Sequence, residues 1–161
     1  IIPIKDHDGN NTIGIIGRST KEYKLPKFLI YPKGFDKRFY FYNYHNAIET
    51  AIRTSCLFIL EGQGDVWKLY EHGVMNAVSI FGKTISKEQE DILLSIPITH
   101  LVILTDNDQA GRESKVQIKR QLGRSFRLTF PRIPTKDVGE MSDTQITSML
   151  DKLKEIGRAH V

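Results

Sequence analysis

The sequence predicts an α/β fold: a parallel sheet of about four strands with helices on both faces, preceded by a small β-rich basic segment. Three observations carry this. Apolar runs such as "CLFIL" (56–60) and "HLVIL" (100–104) are continuous rather than alternating, as in strands buried on both sides. Stretches with apolar residues at helical spacing separate them, so strand and helix alternate along the chain. The breaks between them fall at glycine, proline and capping residues.

Residues 1–5 and 12–18 are β-rich runs flanking His-Asp-Gly-Asn-Asn, with Asp8-Gly9 as the hairpin turn. Residues 24–38 carry Pro26, Pro32 and Gly34 and read as strand pieces and loops. Ala47, Ile48, Ala51 and Ile52 mark a short amphipathic helix. The first parallel strand is 56–60. A helix with Val66, Leu69 and Tyr70 follows and stops at Gly73, and 76–80 is the second strand. Ser86 with Gln89 makes a capping box opening the helix of Ile92, Leu93 and Ile96. The third strand, in "HLVILTD", is the clearest; 110–122 is helical with Gly123 as its stop, and "SFRLTF" is the fourth strand. Ile146, Met149, Leu150, Leu153 and Ile156 form a last helical stripe, capped by Ser142 or Asp143 and read as packing. The expected divisions are 1–54, a basic β-rich segment; 55–140, the α/β domain; and 141–161, a C-terminal helix.

At 161 residues, 40% hydrophobic and 26% charged, the composition is that of a globular domain with a real core. The longest apolar run is far short of the roughly 20 residues a membrane span needs, so no membrane partner is expected. A single cysteine, Cys56, excludes an internal disulfide or a cysteine zinc ribbon and suits a reducing cytoplasm. Net charge is +4 but uneven. Residues 18–38 hold seven bases and two acids, 61–108 eight acids and three bases, and 112–136 eight bases and one acid. An acidic centre between basic segments suits nucleic acid together with cations, although solvated faces give the same pattern.

The acids are specific in place. Glu61 ends the first parallel strand beside Gly62 and Gly64, with Asp65 four residues on, while Asp106 and Asp108 follow the third strand in "DNDQAG". Ligands of open parallel sheets gather at the carboxyl ends of the strands. Carboxylates converging there need a countercharge, which magnesium or manganese supplies through a few oxygens and water. Gly62 and Gly64 turn the backbone sharply and leave room for a phosphate, and Gly111 is read likewise at the next helix start. Asp65 also reads as a helix cap. Tyr40, Phe41, Tyr42 and Tyr44 divide between core and surface and are candidates to stack on bases. Trp67 and the histidines indicate nothing beyond packing or exposure.

"EGQGDV", "GKTIS" and "DNDQAG", in that order, resemble the Toprim domain. Its primase version runs Glu-Gly-x-x-Asp, then Asp-x-Asp-x-Ala-Gly, and "DNDQAGRES" is closer to that form than to topoisomerases. Upstream, "IIPIKDHDGNNTIGIIGR", "PKFLIYP" and "DKRFYFYN" are similar to the stretch preceding Toprim in DnaG-type bacterial and phage primases. The resemblance covers about residues 1–140. It implies that Glu61, Asp65, Asp106, Asp108 and Asp137 match the family's metal-site acids, with Glu61, Asp106 and Asp108 catalytic. Gly139 replaces the second acid of the late Asp-x-Asp, with Glu140 beside it. Arg18, Lys27 and Lys37 match basic residues facing nucleotide or template.

The implied activity is magnesium- or manganese-dependent, template-directed synthesis of RNA primers on single-stranded DNA from nucleoside triphosphates, in the cytoplasm. A replicative helicase is the expected partner, through regions outside this chain. The chain reads as a fragment of the polymerase core, weakly active or inactive alone. A Toprim nuclease and a non-catalytic single-strand-binding module are the alternatives.

Overall fold

The computed structural model describes residues 1–21 and 28–155. Lys27 and Ile156, singled out above, lie outside the described residues. Strands β1 (Ile2–Lys5), β2 (Thr12–Arg18) and β3 (Phe28–Tyr31) form an antiparallel sheet in that order. The hairpin loop is closed by the Asp6 carboxylate, which accepts from the Asn11 side-chain amide at 2.7 Å. Its tip bears Gly9 at φ +77°, a left-handed conformation that suits glycine. A 3₁₀ turn, Lys37–Phe39, then leads to helix α1 (Tyr44–Thr54).

The rest is the expected alternation: β4 (Cys56–Leu60), α2 (Gln63–Tyr70), β5 (Ala77–Ser79), α3 (Lys87–Ser95), β6 (His100–Leu104), α4 (Gln109–Leu122), β7 (Arg127–Thr129) and α5 (Asp143–Glu155). The four strands are parallel in the order β5-β4-β6-β7. Every residue of β4 and β6 is buried, which explains their unbroken apolar runs.

Alternate residues of those strands feed two cores. Phe58, Leu60, Val102 and Leu104 pack with Val66 and Leu69 of α2 and with Ile146, Leu150 and Leu153 of α5. Leu57, Ile59, Leu101 and Ile103 pack with Ala47 and Ala51 of α1, Leu93 of α3, and Ile118 and Leu122 of α4. Thus α2 and α5 cover one face, and α1, α3 and α4 the other. The stripe on α5 is core, as its spacing indicated. The capping box opening α3 is present, with Ser86 Oγ accepting from the Gln89 N–H at 2.9 Å.

The strand order fixes where a ligand goes. From β4 the chain moves outward through α2 to β5, then crosses through α3 to β6 on the other side of β4. The direction of winding reverses between β4 and β6, so the crevice at their carboxyl ends is the topological switch point. Among the described residues, no helix is long and apolar enough to cross a membrane.

Candidate active site

Glu61 leaves β4 directly at that crevice and Asp106 follows β6 by two residues. The two strands run side by side in register, Leu60 opposite Leu104. The Asp106 N–H donates to Glu61 Oε1 at 2.9 Å, so the two acids are tied together. They line a cleft of about 730 Å³ with Asp65, Asp137, Gly139 and Glu140. Its remaining lining includes Ile16, Arg18, Phe28 and Ile30 of the small sheet. Gly62, Gln63, Gly64 and Trp67 of the α2 segment, and Phe81 and Gly82 after β5, also line it. The cleft therefore lies between the two sheets, with the acids on the parallel-sheet side and Ile16, Arg18, Phe28 and Ile30 on the other.

The acids sit under strain of charge. Burial pushes Glu61, only 8% exposed, up to about 7, with Asp106 and Asp108 adding to the rise. Burial pushes Asp65 to about 6, again with neighbouring carboxylates, Asp137 and Asp106, adding to it. Asp106 is raised by burial too, and by Asp137 and Asp108, against the lowering effect of Lys83.

The second half of the set is partly occupied by structural work. Asp65 lies in the first turn of α2, where its carboxylate accepts from Gly62 N–H at 3.3 Å and from Gly139 N–H at 2.9 Å. Gly139 thus offers a backbone donor to Asp65. A Cβ on Gly139 would lie 3.3 Å from Asp137 Oδ1 and 3.5 Å from Asp65 Oδ1, so these carboxylates converge upon it. Asp137 Oδ1 also accepts from Glu140 N–H at 2.9 Å.

Asp108 does not line the cleft. It is the N-cap of α4, with Oδ1 accepting from Gly111 N–H at 2.7 Å and Oδ2 from Lys83 Nζ at 3.0 Å. These donors, Gly111 first, hold its carboxyl below the usual range. Lys83 Nζ also stands 4.0 Å from Glu61 Oε2, a cation at the edge of the acids. Sequence reasoning missed Lys83, although its position just after a parallel strand obeys the rule that located the acids.

The glycines divide. Nothing lies within 4 Å of a Cβ placed on Gly64, whereas one on Gly62 would meet Asp65 Oδ2 at 3.3 Å. Gly111 differs from the phosphate-room reading: a Cβ there would overlap the Asp106 carbonyl at 1.9 Å, so close packing of α4 on the β6 loop requires it. Lys37 Nζ donates to the Phe81 carbonyl at 2.9 Å, tethering a residue held at φ +56°. Arg18 is exposed at the end of β2, its guanidinium 5.6 Å from the centre of the Phe28 ring.

Among the described residues no three carboxylate, histidine or cysteine side chains are gathered as a ready ion cage. The donor set nevertheless fits magnesium. That ion is held through one or two carboxylates, retained waters and substrate phosphates. Glu61, Asp106, Asp65 and Asp137 are hard oxygen donors in one cleft, and three of them carry raised pKa values that a divalent cation relieves.

A family model described as "Toprim domain" matches residues 55–130. The DNA primase of Aquifex aeolicus is 33% identical over 116 residues, 71% of this chain and 23% of its own length. That of Deinococcus radiodurans is 28% identical over 138 residues, 84% of this chain and 24% of its own. The chain spans about a quarter of these relatives. Its fold matches the crystal structure of the Aquifex aeolicus primase zinc-binding and RNA polymerase domains. The TM-score is 0.81 at 28% identity, over 99% of this chain and 40% of that one. A DnaG primase catalytic domain bound to single-stranded DNA shares the fold at 22% identity and TM-score 0.74, over 98% of this chain and 50% of that one. Residues 55–130 therefore form a Toprim domain, within a chain whose relatives in sequence and fold are DnaG-type DNA primases.

Proposed function

We propose that this chain supplies the metal-binding half of a primase active site, for template-directed synthesis of RNA primers on single-stranded DNA. The observation that carries the reading is the joining of Glu61 to Asp106 at the switch point, in a cleft they share with Asp65, Asp137 and Arg18. A divalent ion, magnesium or manganese, supplies charge to bind the triphosphate and to stabilise charge developing on its oxygens. Glu61 and Asp106 would hold it, with Asp65 and Asp137 as further oxygen donors lining the same cleft. Asp108 acts by holding α4 and Lys83 in place, and joins the ligands only by giving up its Lys83 contact. Arg18 and Lys37 attract the phosphates of nucleotide or template, and Lys27 is assigned the same role. The nucleotidyl step joins a primer 3′-hydroxyl to the α-phosphate of a nucleoside triphosphate and releases pyrophosphate.

We assign the reaction to DNA replication in the cytoplasm, with the helicase contact made elsewhere in the longer protein; similarity to DNA primases supports the assignment to replication. The chain divides at 54/55 and 140/141 into a basic β-rich segment, the Toprim domain and a C-terminal helix, with packing that crosses both boundaries. Helices α1 and α5, outside 55–140, both pack on the parallel sheet.

The experiment is ribonucleotide incorporation on a single-stranded template, by this chain and by one extended upstream to the length of a polymerase core. A polymerase must hold metal, template and primer end to within about an ångström. The short chain is expected to make little or no primer and the extended one to make it, dependent on magnesium and abolished by Glu61→Gln. Metal-dependent cleavage of the strand, lost in the same variant, would assign a nuclease. Strand binding unchanged by EDTA, with neither product, would assign a binding module.

A further inference from the structure

The cleft carries aromatic rings that the metal chemistry does not use. On α2, Val66 and Leu69 are fully buried, whereas Trp67 is 41% exposed and lines the cleft. Its ring is nevertheless fixed, because the indole N–H donates to the Tyr42 hydroxyl at 2.8 Å. Tyr42 is itself braced, packing against the core and meeting the Phe81 ring edge-on with centroids 6.3 Å apart. Phe81, at φ +56°, and Phe28, 41% exposed, line the same cleft. Arg18 lies against the Phe28 ring. An exposed, oriented indole that lines one cleft with a second exposed ring and an arginine is the composition of a base-stacking surface.

We propose that Trp67 and Phe28 form a stacking platform for a nucleobase whose phosphates lie toward the carboxylates of the same cleft. This rests on the reading of those carboxylates as a metal–phosphate site. The occupant follows from the cleft's two chemistries. An apolar peptide or acyl group would use the rings but leave the acids unanswered, and a free polyphosphate would use the acids through a metal but leave the rings wet. A nucleotide uses both. The base comes either from a free nucleoside triphosphate or from a single strand, and the two sources are separable. The aromatic residues of 40–44 named as stacking candidates are otherwise engaged: Phe41 is buried, Tyr42 braces the indole, Tyr40 packs on His7 and Phe35, and Tyr44 packs on His7 and Phe41.

Trp67 is the sole tryptophan, so its emission reports the platform alone. With magnesium present, the chain is titrated with ATP, inorganic tripolyphosphate, a single-stranded oligodeoxynucleotide, and an abasic strand of equal length. Saturable quenching by ATP or the oligonucleotide is expected, and none by tripolyphosphate or the abasic strand. Whichever base-bearing ligand quenches identifies the source. By equilibrium dialysis, Trp67→Ala and Phe28→Ala each weaken that ligand about 5- to 100-fold, Trp67→Phe largely restores it, and tripolyphosphate binding is unchanged. Absence of quenching, quenching equal with the base-free probes, or full affinity in both alanine variants overturns the platform. Magnesium-dependent tripolyphosphate binding with no quenching by either ATP or the oligonucleotide would remove the platform and leave the metal–phosphate site. Loss of both would remove that site as well.

Discussion

Glu61 accepts a backbone hydrogen bond from Asp106 and is otherwise held, nearly buried, among like charges. Its folded pKa, about 7, lies above the ordinary 4.5, so between those values the folded chain keeps a proton that the unfolded chain has released. Stability therefore falls as pH rises through that window and stays lower above it. Asp65, raised to about 6, adds the same sign, while Asp108 and Asp143 are lowered and titrate below the window. In chelator the melting temperature is expected to be higher near pH ~5 than near pH ~8. Glu61→Gln should flatten that slope and stabilise the metal-free protein at pH ~8 by about 1–2 kcal/mol, since glutamine keeps the acceptor without the charge. A steeper slope in the variant would contradict the sign. Lys83 gives a second residue-scale prediction. Its ammonium competes with any divalent cation at Glu61 and Asp108, so Lys83→Met should tighten Mn²⁺ binding about three- to tenfold at low salt. Unaltered affinity in a calorimetric titration would show that the ammonium stands clear of the ion.

Helix α4 is seated by contacts at its first turn. Asp108 caps it, and Gly111 lies against the Asp106 carbonyl where no side chain fits. Gly111→Ala should therefore displace the helix or the Asp106 loop, costing about 2–4 kcal/mol in chemical denaturation, far beyond the small gain alanine brings to an open helix site. Helix α5 presents the opposite case. Ile146 is fully buried against β4 and β6, so Ile146→Ala should cost about 2–4 kcal/mol as a cavity. An effect within the error of the denaturation curve would detach α5 from the domain core. These elements were legible in the sequence because each declares itself locally: continuous apolar runs for β4 and β6, Ser86 with Gln89 for α3, and 3.6-residue spacing for α5. The β2–β3 pairing was not. Phe28 to Tyr31 lacks a period of its own and is held by register with β2, Ile16 opposite Ile30.

At the scale of the molecule, two sheets meet over one cleft, and the site is made of both. The sequence disclosed the acid side, because residues at the carboxyl ends of parallel strands converge wherever those strands are neighbours. It did not disclose the aromatic part of the lining. Trp67 reads as an ordinary helix residue until Tyr42, 25 positions earlier, is seen to hold it. Nor did it separate Asp108 from Asp106: "DND" shows two equal acids, and only the start of α4 turns one of them into a cap. That separation makes the account testable. The direct measurement is Mn²⁺ binding to the wild-type chain, to Asp106→Asn and to Asp108→Asn, followed by electron paramagnetic resonance. Wild type should bind, Asp106→Asn should lose affinity at least about tenfold, and Asp108→Asn should lose clearly less, asparagine being an equally good cap. Equal affinity in wild type and Asp106→Asn, or no binding to any of the three, would contradict a metal site at the β4–β6 switch point.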